Sequence, residues 1–87
     1  MEKPKILVID DEPDFQDIIR QALEPEGYEL LQALEGTSGL EMLRRERPDL
    51  VVLDLNLPGM DGYAVCREIR ADDEFADLPI VMITIRG

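Results

Sequence analysis

Two uninterrupted apolar runs, each followed directly by aspartate, constrain the fold of this 87-residue chain more than any other feature. The first run, residues 6–9, precedes Asp10 and Asp11. The second run, residues 50–53, precedes Asp54. Strands with apolar side chains on both faces are typical of parallel sheets that helices cover on both sides. The two runs therefore predict buried strands of one parallel sheet, with three carboxylates where those strands end.

A helical pattern follows the first predicted strand. Pro13 suits the first turn of a helix, and Pro25 with Gly27 marks its end. Between these residues apolar side chains recur at helical spacing, which predicts one apolar face. The members of this stripe are Phe15, Ile18, Ile19, Ala22 and Leu23.

The next segment predicts a strand and a second helix. Residues 28–33 contain enough polar side chains to suit the edge of a sheet better than its centre. Residues 36–46 predict a helix that Pro48 closes, and Ser38 with Glu41 has the spacing of a capping box.

A third helix and a last strand complete the pattern. Asp61 is a suitable N-cap for a helix that places Val65 and Ile69 on one face. The acidic residues 72–77 predict a loop, and residues 80–84 predict a strand.

The resulting order, βαβαβαβ, predicts a single α/β domain with a parallel sheet and right-handed crossovers. Ligands of such sheets bind at the carboxyl ends of the strands, where the strand order reverses. Asp10, Asp11, Asp54 and Thr84 all follow or end predicted strands, so we expect a functional site there.

Composition excludes several classes of function. The net charge of −11 disfavours binding to nucleic acid or to an anionic membrane. A single cysteine, Cys66, excludes an internal disulfide, and the absence of histidine excludes a Ser/His/Asp triad and histidine-bound zinc. With no signal-like N-terminus and no long apolar span, the expected location is the cytoplasm.

The predicted site is acidic, and its charges require compensation. Neighbouring strands lie about 4.8 Å apart, so Asp10, Asp11 and Asp54 would crowd negative charge together and raise the pKa of at least one carboxyl. Mg²⁺ prefers carboxylate, carbonyl and water oxygens and would relieve this repulsion. With the cation bound, Asp54 could act as a nucleophile on phosphorus, and Thr84 could donate a hydrogen bond to the phosphoryl oxygens.

Three segments resemble the receiver domain of two-component response regulators. They are residues 6–12, residues 49–62 and residues 78–84, in the order and spacing of that family. The resemblance covers the whole chain, residues 1–87, and implies a flavodoxin-like, doubly wound parallel sheet.

The resemblance also implies roles for individual residues. Asp54 would be the phosphoacceptor, and Thr84 would be the hydroxyl that turns toward the phosphoryl group. Asp11 and Asp54 would hold Mg²⁺, with Asn56 contributing its backbone carbonyl and Asp10 acting through water. The phosphoryl donor would be a histidine kinase or a phosphotransfer protein.

The chain departs from the family pattern in two ways. A complete receiver continues with a helix, a fifth strand and a last helix, and the fifth strand carries a lysine for the phosphoryl group. Lys3 and Lys5 lie at the wrong end of the first strand to replace it. Ile85 stands where the family usually has a small residue, which would narrow access to Asp54.

We therefore expect residues 1–87 to form a receiver that is incomplete after its fourth strand. Phosphorylation should be slow or absent, and Mg²⁺ binding should be weak. Residues 80–85 would form an apolar sheet edge, which predicts a homodimer or a strand-swapped oligomer.

Two alternatives stay open at this point. The chain could be a phosphorylation-impaired interaction or dimerisation module that uses this open edge. It could also be an aspartyl-phosphate phosphohydrolase, but those enzymes need a carboxylate two residues after the nucleophile, and Asn56 stands there.

Overall fold

The computed structural model describes residues 2–84. Within this range the chain alternates strands and helices in the predicted order, with short 3₁₀ turns at Glu24–Glu26 and Asp73–Phe75. The elements are β1 (Lys5–Ile9), α1 (Pro13–Leu23), β2 (Glu29–Ala33), α2 (Gly36–Glu46), β3 (Leu50–Asp54), α3 (Gly62–Ala71) and β4 (Ile80–Ile83).

The strands form one parallel sheet in the order β2-β1-β3-β4. The connection from β1 to β2 runs in one direction along the sheet. The connections from β2 to β3 and from β3 to β4 run in the opposite direction. Because parallel crossovers are right-handed, this reversal places α1 on one face of the sheet and α2 and α3 on the opposite face. The prediction of a doubly wound sheet with β2 at an edge is confirmed.

The main core lies between the sheet and the pair α2 and α3. Alternate residues of the two central strands point into it, as the two-residue period of a strand requires. Its fully buried members are Leu7, Ile9, Leu43, Val51, Leu53, Val65 and Ile69. This core fixes β1 and β3 as neighbours, with Ile9 opposite Leu53, and so aligns the two strand ends that carry aspartates.

The predicted apolar stripe of α1 is only partly directed at the sheet. Gln16 is the buried residue of this helix, and Ile18 is 62% exposed. Three members of the predicted stripe, Phe15, Ile19 and Leu23, are half-buried, whereas Ala22 is exposed. The prediction was wrong for Ile18 and Ala22, because it counted only apolar residues, whereas the one buried residue of this helix is the polar Gln16.

The helix starts confirm one of two capping predictions. Asp61 caps α3, since its Oδ1 accepts a hydrogen bond from the Ala64 N–H at 2.8 Å. The predicted capping box of α2 was wrong, because the helix begins at Gly36 and Ser38 lies within its first turn. The Ser38 hydroxyl there donates to the Glu35 carbonyl at 3.2 Å.

Three further observations concern the predicted elements. The strand β4 ends at Ile83, one residue before the predicted end. The prediction about Ile85 lies outside the described residues. The longest described helices have 11 residues, and none of the helices in residues 2–84 has the length and apolar character needed to cross a membrane.

Candidate functional site

Three carboxylates converge where β1 and β3 end, and we call Asp10, Asp11 and Asp54 the aspartate cluster. Asp54 is the last residue of β3, and Asp10 and Asp11 directly follow β1. One oxygen of each carboxylate lies within 4.8 Å of the other two. Asp10 and Asp54 are 0% and 1% exposed, and Asp11 is half-buried. The predicted convergence of these residues is confirmed.

The hydrogen bonds of the aspartate cluster leave several acceptor atoms without donors. Asp10 Oδ1 accepts from the Glu12 N–H at 2.8 Å, and Asp54 Oδ1 accepts from the Asn56 N–H at 3.0 Å. Asp10 Oδ2, Asp11 Oδ1 and Asp54 Oδ2 are buried without a donor in the described part of the chain. Such atoms carry a desolvation cost of several kcal/mol in order of magnitude. A hard divalent cation fits this donor set, because Mg²⁺ prefers carboxylate oxygens.

The electrostatics of the aspartate cluster are most evident at Asp10. Burial raises the pKa of its carboxyl above the ordinary value of 3.8, and the charges of Asp54, Asp11 and Glu12 raise it further. The hydrogen bond from the Glu12 N–H opposes these effects and lowers the pKa. The sequence predicted the repulsion between like charges, but burial is the larger cause. Ionised Asp10 therefore destabilises the metal-free fold.

We predict that Asp10→Asn raises the melting temperature of the metal-free protein at pH 7. A raised pKa in the folded state means that stability is lost as the pH rises through that pKa. Asparagine has no proton to lose, so the gain should be present at pH 7. The gain in melting temperature should vanish below about pH 3.8, where the Asp10 carboxyl is neutral in the folded and in the unfolded protein.

Thermal melts across this pH range, with a chelator present, measure the effect. Asp77→Asn, at an exposed position, is the matched control and should show no such pH-dependent gain. A stability loss for Asp10→Asn at pH 7, or an equal gain at every pH, would contradict the electrostatic explanation.

The two remaining predicted site residues contact each other beside the aspartate cluster. The Asn56 side-chain N–H donates to the Thr84 hydroxyl at 2.8 Å, and both residues are exposed. Thr84 follows β4, whose Ile83 pairs with Asp54 of β3. The structure thus brings Thr84 and Asn56 to the same sheet end as the aspartates. Their roles toward a phosphoryl group and a metal stay predictions.

Comparison with known proteins identifies the family. Residues 6–87 match the model of the response regulator receiver domain. The chain belongs to this family. It is 43% identical over 84 residues to the DNA-binding dual master transcriptional regulator RpaA of Synechocystis, covering 97% of this chain and 35% of the relative. It is 42% identical to the transcriptional regulatory protein AfsQ1 of Streptomyces coelicolor, covering 97% and 36%. The receiver chain thus spans about a third of the length of these curated relatives.

Solved receiver structures confirm the predicted flavodoxin-like fold. The N-terminal domain of a response regulator receiver protein from Methanoculleus marisnigri superposes with a TM-score of 0.89 at 37% identity. That match covers 95% of this receiver chain and 68% of the solved chain. The chemotaxis response regulator CheY4 of Vibrio cholerae gives a TM-score of 0.92 at 27% identity, with 98% and 71% covered.

Gly62 is a residue of this receiver domain that the sequence patterns did not mark as part of the site. A Cβ atom at Gly62 would lie 2.5 Å from the Asp54 carbonyl oxygen and 2.6 Å from the Leu55 Cα. The Gly62 N–H donates to the Leu55 carbonyl at 3.1 Å. The start of α3 therefore packs directly on the backbone that carries Asp54, and only glycine leaves enough space. The one available signal was a glycine directly after a predicted N-cap.

Proposed function

We propose that this receiver domain accepts a phosphoryl group on Asp54 in a two-component phosphorelay, with Mg²⁺ bound in the aspartate cluster. The observation that carries the proposal is the convergence of three carboxylates within 4.8 Å at the ends of two central strands. Asp54 is the member that ends a strand, and its Oδ2 has no hydrogen-bond donor among the described residues. That oxygen keeps its lone pairs available for chemistry.

The proposed transfer forms one bond and breaks one bond. A carboxylate oxygen of Asp54 attacks phosphorus, and the bond from phosphorus to the imidazole nitrogen of a phosphohistidine donor breaks. The bonding electron pair leaves with that nitrogen. The Asn56 N–H holds Asp54 Oδ1 at 3.0 Å and thereby orients the carboxylate. Mg²⁺, when bound, would supply neutralising charge for the phosphoryl oxygens.

The metal would be held by the residues that the family resemblance assigns. Asp11 and Asp54 would contribute side-chain oxygens, Asn56 its backbone carbonyl, and Asp10 a contact through water. The unpartnered oxygens of Asp11 and Asp54 fit this assignment. Thr84 would turn its hydroxyl toward the phosphoryl group after giving up the hydrogen bond from Asn56.

The lysines in the described part of the chain do not assist phosphoryl transfer to Asp54. The two lysines, Lys3 and Lys5, lie at the amino end of β1, opposite the aspartate cluster, and Lys5 Nζ is 3.3 Å from the Glu46 carboxylate. They cannot neutralise a phosphoryl group on Asp54.

Labelling with a small acyl phosphate tests the proposed function. The protein is incubated with the donor, either with Mg²⁺ or with a chelator, and the added phosphoryl mass is mapped to a peptide. We expect Mg²⁺-dependent labelling of the peptide that contains Asp54. Labelling that is equal in the chelator, or that maps to another segment, would overturn the proposal.

The partner that fits this chemistry is a histidine kinase or a phosphotransfer protein. RpaA and AfsQ1 are transcriptional regulators, and RpaA is described as DNA-binding. We do not assign DNA binding to the receiver chain itself, because its net charge of −11 repels phosphates. A cytoplasmic location also stays a prediction.

A second proposed role is association through β4. Among the described strands β4 pairs only with β3, and Val81 is 47% exposed. An apolar strand with an unpaired edge favours pairing with another strand. We propose that this chain forms a homodimer or a strand-swapped oligomer through β4.

We predict that Val81→Lys shifts this association toward monomer, because a charged side chain on an edge strand opposes strand pairing. Light scattering after size exclusion at micromolar concentration measures the mass. Tyr63→Lys is the matched control, since Tyr63 is an exposed large side chain on helix α3 and not on a strand. A wild-type protein that is monomeric at this concentration would refute the proposal.

The phosphohydrolase alternative is not favoured by the site. The residue two positions after Asp54 is Asn56, whose amide donates to Thr84 and cannot act as an acid or base. Receiver domains are phosphoacceptors, and the aspartate cluster fits that role.

A further inference from the structure

Gln16 is a buried amide beneath the aspartate cluster, with an unusual set of partners. It lies on α1 and is 2% exposed. Its Nε2 lies 3.0 Å from the Val8 carbonyl oxygen and 3.1 Å from the carbonyl oxygens of both Asp10 and Ala33. An amide nitrogen has two hydrogens, so these three acceptors must share them. A polar group this buried requires partners, and the Gln16 Nε2 finds them entirely in the main chain, whereas its Oε1 has no donor among the described residues.

The three carbonyl groups surround the segment that carries two site carboxylates. Val8 belongs to β1, Ala33 is the last residue of β2, and Asp10 starts the loop between β1 and α1. The Asp10 N–H donates to the Ala33 carbonyl at 3.0 Å, so Asp10 and Gln16 share this acceptor. One side chain of α1 therefore holds the main chain of β1, β2 and the loop together at the point where Asp10 leaves the sheet.

The hydrogen bonds of Gln16 matter for the geometry of the aspartate cluster because its carboxylates repel each other. Asp10, Asp11 and Asp54 carry like charges within 4.8 Å, and in the metal-free state this repulsion favours moving the loop away from β3. Asp54 is fixed by β3 itself, whereas Asp11 lies in a loop. The hydrogen bond from Gln16 to the Asp10 carbonyl opposes movement of that loop.

We propose that Gln16 is a positioning residue for the aspartate cluster, which keeps Asp10 and Asp11 close to Asp54 and thereby sets the affinity for a divalent cation. The proposal rests on the proposed function, since it assumes that the cluster binds Mg²⁺. Replacing a residue that hydrogen-bonds to metal ligands and orients them typically weakens metal binding by about 10–100-fold.

Gln16→Met tests the proposal in the full chain. Methionine keeps a similar length and volume but has no N–H to donate. Ile69→Val is the matched control, because Ile69 is buried in α3 and its shortening costs stability without touching the loop. If Gln16→Met does not fold, Gln16→Asn is used instead. Asparagine keeps the amide group but is one methylene shorter, so the amide no longer reaches the same carbonyl groups.

Two measurements separate positioning from stability. The first is Mg²⁺ affinity, followed by backbone amide resonances well below the melting temperature. The second is hydrogen exchange of the Asp10 and Glu12 amides in the metal-free protein, since these amides bond to Ala33 and to Asp10 Oδ1. We expect about 10–100-fold weaker Mg²⁺ binding and about ten-fold faster exchange in the Gln16 variant. Both values should stay near wild type in Ile69→Val.

The Mg²⁺ affinity and the hydrogen exchange together support or overturn the proposed role of Gln16. Affinity or exchange that changes no more in the Gln16 variant than in Ile69→Val would overturn it. If the wild type binds no Mg²⁺, the proposed metal site fails, and hydrogen exchange alone then decides the anchoring. Faster exchange confined to Asp10 and Glu12 would support the anchor, and unchanged exchange would refute it.

Discussion

Asp54→Asn should abolish phosphoryl transfer to this chain while leaving its fold intact. Asparagine has the shape of aspartate, and its oxygen can still accept the hydrogen bond from the Asn56 N–H. An amide oxygen carries no charge and is a poor nucleophile toward phosphorus. Loss of a reacting nucleophile lowers rates by factors on the order of 10³ or more, which here means labelling below detection.

The fold should tolerate this change well. Asp54 is 1% exposed and shares its surroundings with Asp10 and Asp11, so removing its charge also removes like-charge repulsion. Intact-mass measurements after incubation with a small acyl phosphate give the labelled fraction, and circular dichroism checks the fold. Asp77→Asn, which changes an exposed aspartate elsewhere, should label as the wild type does. Equal labelling of Asp54→Asn and wild type would show that another residue accepts the phosphoryl group.

Gly62→Ala should be the most damaging single-methyl change next to the site. The new Cβ would lie 2.5 Å from the Asp54 carbonyl oxygen and 2.6 Å from the Leu55 Cα, and neither backbone atom can move like a flexible side chain. Overpacking of this kind costs about 1–3 kcal/mol, and backbone contacts place this case at the upper end. For a domain of this size, each kcal/mol lowers the melting temperature by roughly 4–8 °C.

The direction of the stability change in Gly62→Ala is informative because helix propensity alone predicts a gain in stability. Gly62 is the first residue of α3, and alanine is the better helix former by about 1 kcal/mol in a helix interior. A loss of stability therefore measures the contact with β3. The variant should also bind Mg²⁺ more weakly, because relief of the clash must displace the backbone that carries Asp54.

Gly27→Ala provides the matched control for this prediction. Gly27 has a φ of +97°, and a Cβ there would meet no atom within 4 Å. Alanine should cost about 1–2 kcal/mol there through its left-handed conformation, but Mg²⁺ binding should not change. Thermal melts and Mg²⁺ titrations of both variants make the comparison. A Gly62→Ala protein as stable as wild type would contradict the close approach of α3 to β3.

Much of the site could be predicted because it follows from strand ends. The apolar runs before Asp10 and Asp54 identify two buried parallel strands. Because the carboxyl ends of parallel strands lie at the same end of the sheet, both carboxylates are expected there. The N-cap role of Asp61 was also predictable, because capping depends on residues only three apart. These inferences needed only local patterns and one general rule about parallel sheets.

The features that were missed depend on contacts between segments distant in sequence. The burial of Gln16 reflects carbonyl groups of β1 and β2, which no helical period can represent. The requirement for glycine at position 62 arises from the backbone of β3. Ser38 fits a capping motif by spacing, but the helix had already begun at Gly36. At Asp10, the sequence predicted charge repulsion, but only the fold shows that burial is the larger cause of its raised pKa.

Titration of the full chain with Mg²⁺, followed by amide resonances, tests the central claim most directly. If the aspartate cluster holds a divalent cation, saturable shifts should appear at residues 10–12 and 54–56. They should be lost in Asp11→Asn, retained in Asp77→Asn, and weakened as the pH falls and Asp10 takes up a proton. Shifts that do not saturate, or that persist unchanged in Asp11→Asn, would show that these aspartates do not form a metal site.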